Sequence, residues 1–279
     1  MSILPPVRLQ FGGCAGLNHY MFGVGAYIQE HYVLGPDVEI RTVSGSNYVG
    51  MCMLSKYSVE SIWRLWSARL DDLFRSRPWT GLWALWALVE DHSREVLQKD
   101  GQRQTLERYR QHSIRIALLG VMVTKWFRDH RSHEDYLSAI FAGSFLPGLC
   151  GGIWRLYRGY RCLDGGLRLP RTSRGSRSTP DHPERTLSIS VWDCRTLSRR
   201  RLAWMAVSGL WCGSAQHAFQ FSHGYAHARD VLAPRLETLL PHQSHRLPEI
   251  SGEVRWDAKR HLFRTSGLPV RSRVGTNAE

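Results

Sequence analysis

Hydrophobic and polar positions along the first fifty residues follow two periods in turn. Val7–Phe11 (VRLQF) alternates apolar with polar, the two-residue period of a strand. It runs into Gly12-Gly13-Cys14-Ala15-Gly16. Over residues 18–32 the positions Tyr20, Gly23, Val24, Tyr27, Ile28 and His31 recur at three-to-four spacing, which predicts a helix. Gly35-Pro36-Asp37 marks a turn. Residues 38–43 (VEIRTV) are β-branched and alternate again, so a second strand follows. It ends in Ser44-Gly45-Ser46-Asn47, ahead of a predicted helix over 48–56. Strand, tight turn and helix occur twice in succession, the signature of an α/β fold with a parallel sheet.

Further along, helical periodicity predicts helices over 58–73, over the Trp-dense 79–88 and over the polar 93–112. Residues 114–123 (IRIALLGVMV) predict one buried strand. A helix over 132–142 opens on Ser132 with Asp135 three residues on, a relative of the capping box. Residues 157–163 predict a strand or hairpin arm leading into Asp164-Gly165-Gly166. Residues 186–192 predict another strand, and 203–232 a helix in two pieces. From about residue 234 the chain is polar and weakly periodic, which predicts a globular domain over 1–232 and a basic, partly disordered appendage over 233–279.

The 279 residues are 43% hydrophobic and 22% charged, which excludes a disordered, collagen-like or disulfide-scaffold chain. The net charge is +13, and only four of the 37 basic residues are lysine. Such a surface suits acidic partners, phospholipid headgroups or nucleic acid. No zinc finger, RRM motif or helix-turn-helix supports the nucleic acid. Six cysteines without CxxC spacing predict reduced, buried thiols in a cytosolic protein. The first ten residues carry two prolines and an arginine, unlike a secretory signal, and no apolar run of about 18 predicts a spanning helix. Thirteen histidines show no paired metal spacing, so no metal and no cofactor is expected. Trp79, Trp83 and Trp86 share a helical spacing that predicts a core face, or else an interfacial segment resting on a lipid surface. The arginines of 171–177 and Arg199-Arg200-Arg201 read as solvated positions or phosphate contacts.

Three features carry chemistry. The glycine-rich turn after the first strand leaves backbone N–H groups free to face an oxyanion at a helix N-terminus. Its spacing fits neither the dinucleotide fingerprint nor a P-loop. Ser46 stands near a strand-to-helix turn among small neighbours, where a nucleophile elbow would hold its serine, although both glycines of GxSxG are substituted in Ser44-Gly45-Ser46-Asn47-Tyr48. Asp164 precedes Gly165-Gly166 at the end of a strand. Taken singly, each is also an ordinary turn.

At these three places the chain resembles the patatin-like phospholipases, most closely the adiponutrin-like branch. Gly13-Cys14-Ala15-Gly16-Leu17-Asn18-His19-Tyr20-Met21-Phe22-Gly23 runs in register with that branch's G-C-G-x-L-G-x-Y-x-x-G. The same register carried forward lands the nucleophile position on Ser46. A second register, keyed on Gly45, puts Asn47 there and implies an inactive protein. Ser132, Ala139, Ser144, Pro147, Gly151, Arg158-Gly159 and Asp164-Gly165-Gly166 follow the family's second block, and Gly224-Tyr225 with Ala228 its late G-Y-x-x-A. The resemblance spans about residues 5–232. It implies a patatin-like three-layer α/β fold, a central parallel or mixed sheet flanked by helices. It also implies a Ser–Asp dyad of Ser46 and Asp164, an oxyanion cradle of Gly13, Cys14 and Ala15, and hydrolysis of acylglycerol or phospholipid esters. The expected partners are a lipid substrate and the surface of a membrane or lipid droplet, met peripherally from the cytoplasm. The alternative is a silent fold with a lipid-binding or regulatory role, for which Asn18 and Tyr48, at two of the family's glycine positions, argue.

Overall fold

The computed structural model describes residues 5–77, 81–101, 104–167, 169, 182–194, 197–209 and 213–252. The fold is α/β in three layers, a mixed open sheet flanked by helices. Its strands are β1 (Val7–Phe11), β2 (Val38–Thr42), β3 (His112–Leu118), β4 (Val123–Phe127), β5 (Arg155–Tyr157), β6 (Tyr160–Asp164) and β7 (Thr186–Ile189). The helices are α1 (Asn18–His31), α2 (Ser46–Leu54), α3 (Val59–Ser76), α4 (Gly81–Asp100), α5 (Gln104–Tyr109), α6 (His133–Gly143), α7 (Arg199–Ser208), α8 (Ser214–His227) and α9 (Ala233–Leu239).

β7, β1, β2 and the start of β3 are parallel neighbours, so their C-terminal ends share one end of the sheet. β4 pairs antiparallel with β3, and so does β6. The register of β3 decides how the site is built. Ile114 pairs with Thr42 of β2 and with Phe127 of β4; Ile116 pairs with Asp164 of β6 and with Lys125 of β4. A strand residue has only two edges, so β2 and β6 lie along the same edge of β3, end to end. Thr42 and Asp164 are two β3 residues apart, about 7 Å along the strand.

The polar positions of the first strands have a cross-strand purpose. The buried Glu39 carboxylate accepts from Arg8 and Arg41 at 2.9 Å each and from the Ser113 hydroxyl at 2.7 Å. Burial alone would raise its pKa, but these donors hold it below the ordinary glutamate value. α1 is buried along nearly its whole length and crosses α8 backbone to backbone. A Cβ on Gly23 would lie 2.0 Å from the Phe221 carbonyl oxygen, and one on Gly224 would lie 1.9 Å from that of Tyr20. Two of the motif glycines are therefore the contact points of one helix crossing.

Three sequence expectations change. The single strand over 114–123 is two strands, β3 and β4, with the chain reversing at 119–122. The Trp-dense helix and the first part of the polar one are a single helix, α4, the rest of the polar one is α5, and His112 already belongs to β3. The appendage predicted from residue 233 packs on the same body through residue 252. Leu236, Leu240 and Ile250 are buried, Val33 donates to the Pro241 carbonyl, Ser58 to that of Pro248, and Ile250 to the Ser61 hydroxyl. Residues 253–279 and the arginine-rich 171–177 lie outside the described residues, as do Cys212, Trp79 and the side chain of Trp83.

Candidate functional site

β2 ends at Thr42, and two residues later the chain turns sharply into α2. The residue at that turn is Ser44, with φ at +61°. A non-glycine residue in the left-handed region costs of order 1–3 kcal/mol, and at a strand-to-helix turn this is the strained geometry that thrusts a side chain outward from a nucleophile elbow. The five residues of the elbow are thus Thr42-Val43-Ser44-Gly45-Ser46.

Asp164, the last residue of β6, arrives opposite this turn because β6 abuts β2. Burial raises its pKa above the usual carboxylate value, and the Ser44 hydroxyl and the Gly166 N–H pull it partly back. The Gly166 N–H donates to Oδ1 at 2.7 Å. Oδ2 is buried with no donor in bonding geometry. A poorly solvated carboxylate beside a hydroxyl is a strengthened base.

Ser46 does not face Asp164. It is the first residue of α2, fully buried, and its Oγ donates to the Gly12 carbonyl at 2.6 Å. It also bonds the Cys14 thiol, which burial pushes up to about 12. The serine at the turn is thus Ser44 and not the expected Ser46, which ties the glycine-rich turn to α2. Asn47, the other candidate position, is a bracket of the elbow, described below.

The turn predicted as an oxyanion cradle lies against Ser44. A Cβ built on Gly13 would sit 3.5 Å from the Ser44 Cβ, and one on Gly45 3.0 Å from the Cys14 Sγ. Ala15 also takes a positive φ, +45°. Among the described residues the N–H groups of Gly13, Cys14, Ala15 and Gly45 donate to no carbonyl. Unpaired amides flanking a serine are the donors that a tetrahedral oxyanion needs.

A buried polar chain holds the elbow from behind. Thr42 Oγ1 donates to Asn47 Oδ1 at 2.7 Å, so it accepts from His112 Nε2 at 2.6 Å. His112 Nδ1 then accepts from the Tyr136 hydroxyl at 2.6 Å. At the other end Asn47 Nδ2 donates to Ser144 Oγ at 2.9 Å, and Ser144 donates to the Ser44 carbonyl at 2.8 Å. With His112 neutral, every link has one allowed direction. Burial and the neighbouring His130 indeed drive its pKa well below the ordinary value. Thr42 and His112 gave no motif in the sequence, and Asn47 entered it only as an alternative nucleophile position; the signal was their distance from the end of a strand whose last residue had to be fixed first.

Ser44 and Gly45 line a cavity of about 120 Å³ with a mostly apolar wall that includes Leu70, Trp86, Ile140, Phe141 and Leu149. Trp86 stands edge-on to Phe141 and Phe145, so this tryptophan is a wall of the cavity and not a surface anchor. Tyr48 lies in the same wall, its ring edge-on to Phe22 and Trp66. It stands one helical turn beyond Ser44 and does not occupy the elbow. Among the polar lining residues, which include Asn18 and Ser144, is His19. Its ring stacks on His217 at 3.9 Å, and its Nδ1 accepts from Trp63 Nε1 at 2.9 Å. Indole only donates, so the neutral ring carries its proton on Nε2. Burial keeps it neutral.

Among the described residues no cluster of three or more His, Cys, Asp or Glu side chains could hold a metal ion, and no helix is long and apolar enough to cross a membrane. No protein-family model and no curated protein matches the chain.

Proposed function

We propose that the chain is a serine acyl hydrolase of lipid esters, with Ser44 as nucleophile and Asp164 as base. One observation carries the reading: a strained serine beside a desolvated carboxylate and unpaired amides, at the inner end of an apolar cavity. The resemblance to patatin-like phospholipases supports it, with the nucleophile moved from Ser46 to Ser44.

In the reaction the Ser44 proton passes to Asp164 as Oγ adds to the ester carbonyl carbon. The oxygen, now negative, takes hydrogen bonds from the amides of the Gly13–Ala15 turn and Gly45. Collapse breaks the ester C–O bond, and the departing alkoxide takes the proton from Asp164. Water then gives a proton to Asp164 and adds to the acyl carbon, and Ser44 leaves reprotonated. The acyl chain lies in the apolar cavity, and acylglycerols and phospholipids are the substrate class such a wall selects.

The test is a fluorophosphonate probe with the adduct mapped by mass spectrometry, alongside hydrolysis of p-nitrophenyl esters of increasing chain length. Label on Ser44, lost in Ser44→Ala and kept in Ser46→Ala, with longer acyl chains preferred, is the expected result. A folded protein that takes no label is the inactive lipid-binding fold instead.

A further inference from the structure

We propose that the end of the molecule around the cavity mouth docks on an anionic lipid surface, with Trp192, Trp204 and Val207 entering the headgroup–acyl boundary while Arg199 and Arg200 pair with lipid phosphates. Its orientation rests on the acyl-hydrolase reading; the docking does not.

Large exposed apolar side chains are not scattered over this protein. Among the described residues there are ten, and nine of them fall at one end. Val121 lies in the reversal beyond the C-terminal end of β3, and Trp192 just beyond that of β7. Tyr160 opens β6, which passes the end of β3 before pairing, and Leu156 is paired with Arg161 of the same strand. Ile153 and Trp154 precede β5, and Leu167 follows Asp164. Trp204 and Val207 are on α7, which packs on the Ala15–Leu17 turn. Ser44 sits at this same end. The tenth, Val231, belongs to the short helical stretch before α9.

α7 states the point most plainly. Leu202, Met205 and Ser208 turn inward. The opposite stripe should be polar on a helix facing water. It instead reads Arg200, Ala203, Trp204 and Val207, with Trp204 68% and Val207 60% exposed. Trp192, 47% exposed, lies on the short 3-10 turn that touches α7, and Gly209 just beyond the helix is part of the cavity wall. The charge beside this stripe is positive: Arg199 and Arg200 are exposed and enter no ion pair among the described residues, whereas Arg201 lies over the Phe219 ring. By β5 and β6 the Arg161 guanidinium covers the Trp154 ring at 4.6 Å. Indoles flanked by guanidinium groups suit a headgroup layer, where the ring meets acyl carbon and the cation meets phosphate. With a net charge of +13, the occupant this face complements is an anionic lipid surface.

The experiment is co-sedimentation of the full chain with vesicles of phosphatidylcholine, with and without 30% phosphatidylglycerol (about one lipid in three, enough to set the surface potential). Wild type should partition at least tenfold better onto the anionic vesicles, less so as salt is raised. Trp192→Ser/Trp204→Ser/Val207→Ser should lose at least tenfold in partition, and Arg199→Glu/Arg200→Glu should lose the preference for anionic lipid. Ser44→Ala should bind as wild type does. All the substituted surface positions are exposed, and matching melting curves confirm that the variants fold. Equal binding by the triple variant overturns the proposal. So does a lipid-free dimer that the triple variant dissolves, since the face would then pair copies of the chain. Fluorophosphonate labelling separates the two readings: labelled protein that ignores vesicles sinks the docking alone, and vesicle-bound protein that takes no label sinks the hydrolase alone.

Discussion

Two residues separate the serine that sequence pattern favoured from the serine at the turn, and the gap has a physical cause. An elbow is recognised by glycines on either side of its nucleophile, which relieve crowding. Here Thr42 and Ser46 occupy those places and the glycine has moved next door to Gly45. The pattern therefore selects Ser46, or Asn47 in the second register, and Ser44 stands out only once the end of β2 is known. Asp164 was singled out in the sequence because Gly165-Gly166 follow it directly. Its environment leads to a prediction. The folded-state pKa is raised, so stability is full below the unfolded value and declines as pH rises through the folded one. Asp164→Asn should therefore melt higher than wild type at pH 7 while losing about 10³-fold or more in kcat, by calorimetry and ester hydrolysis. In the wild type kcat/KM should fall on acidification, with its inflection above 3.8, the ordinary aspartate value. Asn47 acts through its neighbours. Asn47→Ala strands the Thr42 and Ser144 hydroxyls, at a cost of about 1–3 kcal/mol. It should reduce kcat with KM nearly unchanged, because the elbow shifts while the cavity wall stays, and steady-state kinetics on a soluble ester checks this.

At the scale of elements, strands and helices flanked by glycine or proline turns were readable: β1, β2, α1 and α6, with Ser132 accepting from the Asp135 N–H as its capping pattern required. The β3–β4 reversal was not, because the apolar run IRIALLGVMV crosses it with Gly120 as its one conventional turn residue. The abutment of β2 and β6 was invisible, since it arises from two separate long-range pairings with β3, neither of which leaves a local trace. Gly165 exists for that abutment. A Cβ there would lie 1.9 Å from the Arg115 carbonyl oxygen, inside any permitted contact. Gly165→Ala should force β6 away from β3 and uncouple Asp164 from Ser44. The expected outcome is loss of fluorophosphonate labelling with most far-ultraviolet circular dichroism retained.

For the whole molecule, α/β class followed from the first fifty residues, whereas the extent of the body did not. The polarity of 233–252 hides three apolar side chains, Leu236, Leu240 and Ile250, that close over the rest. Removing residues 233–279 should uncover that face and lower the melting temperature by well over 4 °C, more than a loss of about 1 kcal/mol would give, with aggregation on heating measured by light scattering. Acid stability has a separate source in the sheet. The depressed pKa of Glu39 contributes stability above its unfolded value that is lost as pH falls through the folded one. Glu39→Gln should flatten the decline of the melting temperature below about pH 4.5, the unfolded reference, while lowering stability at pH 7 by leaving buried cations short of their anion.

Because β2 and β6 meet along one edge of β3, the span between hydroxyl and carboxylate is graduated by the steps of that strand and not by the roughly 120 residues of chain between them. The surface loops within it can lengthen or shorten without altering the reach. A slip of β6 by a single step, however, would swing Asp164 to the far side of the sheet. Such a molecule would keep its fold and could never form the dyad.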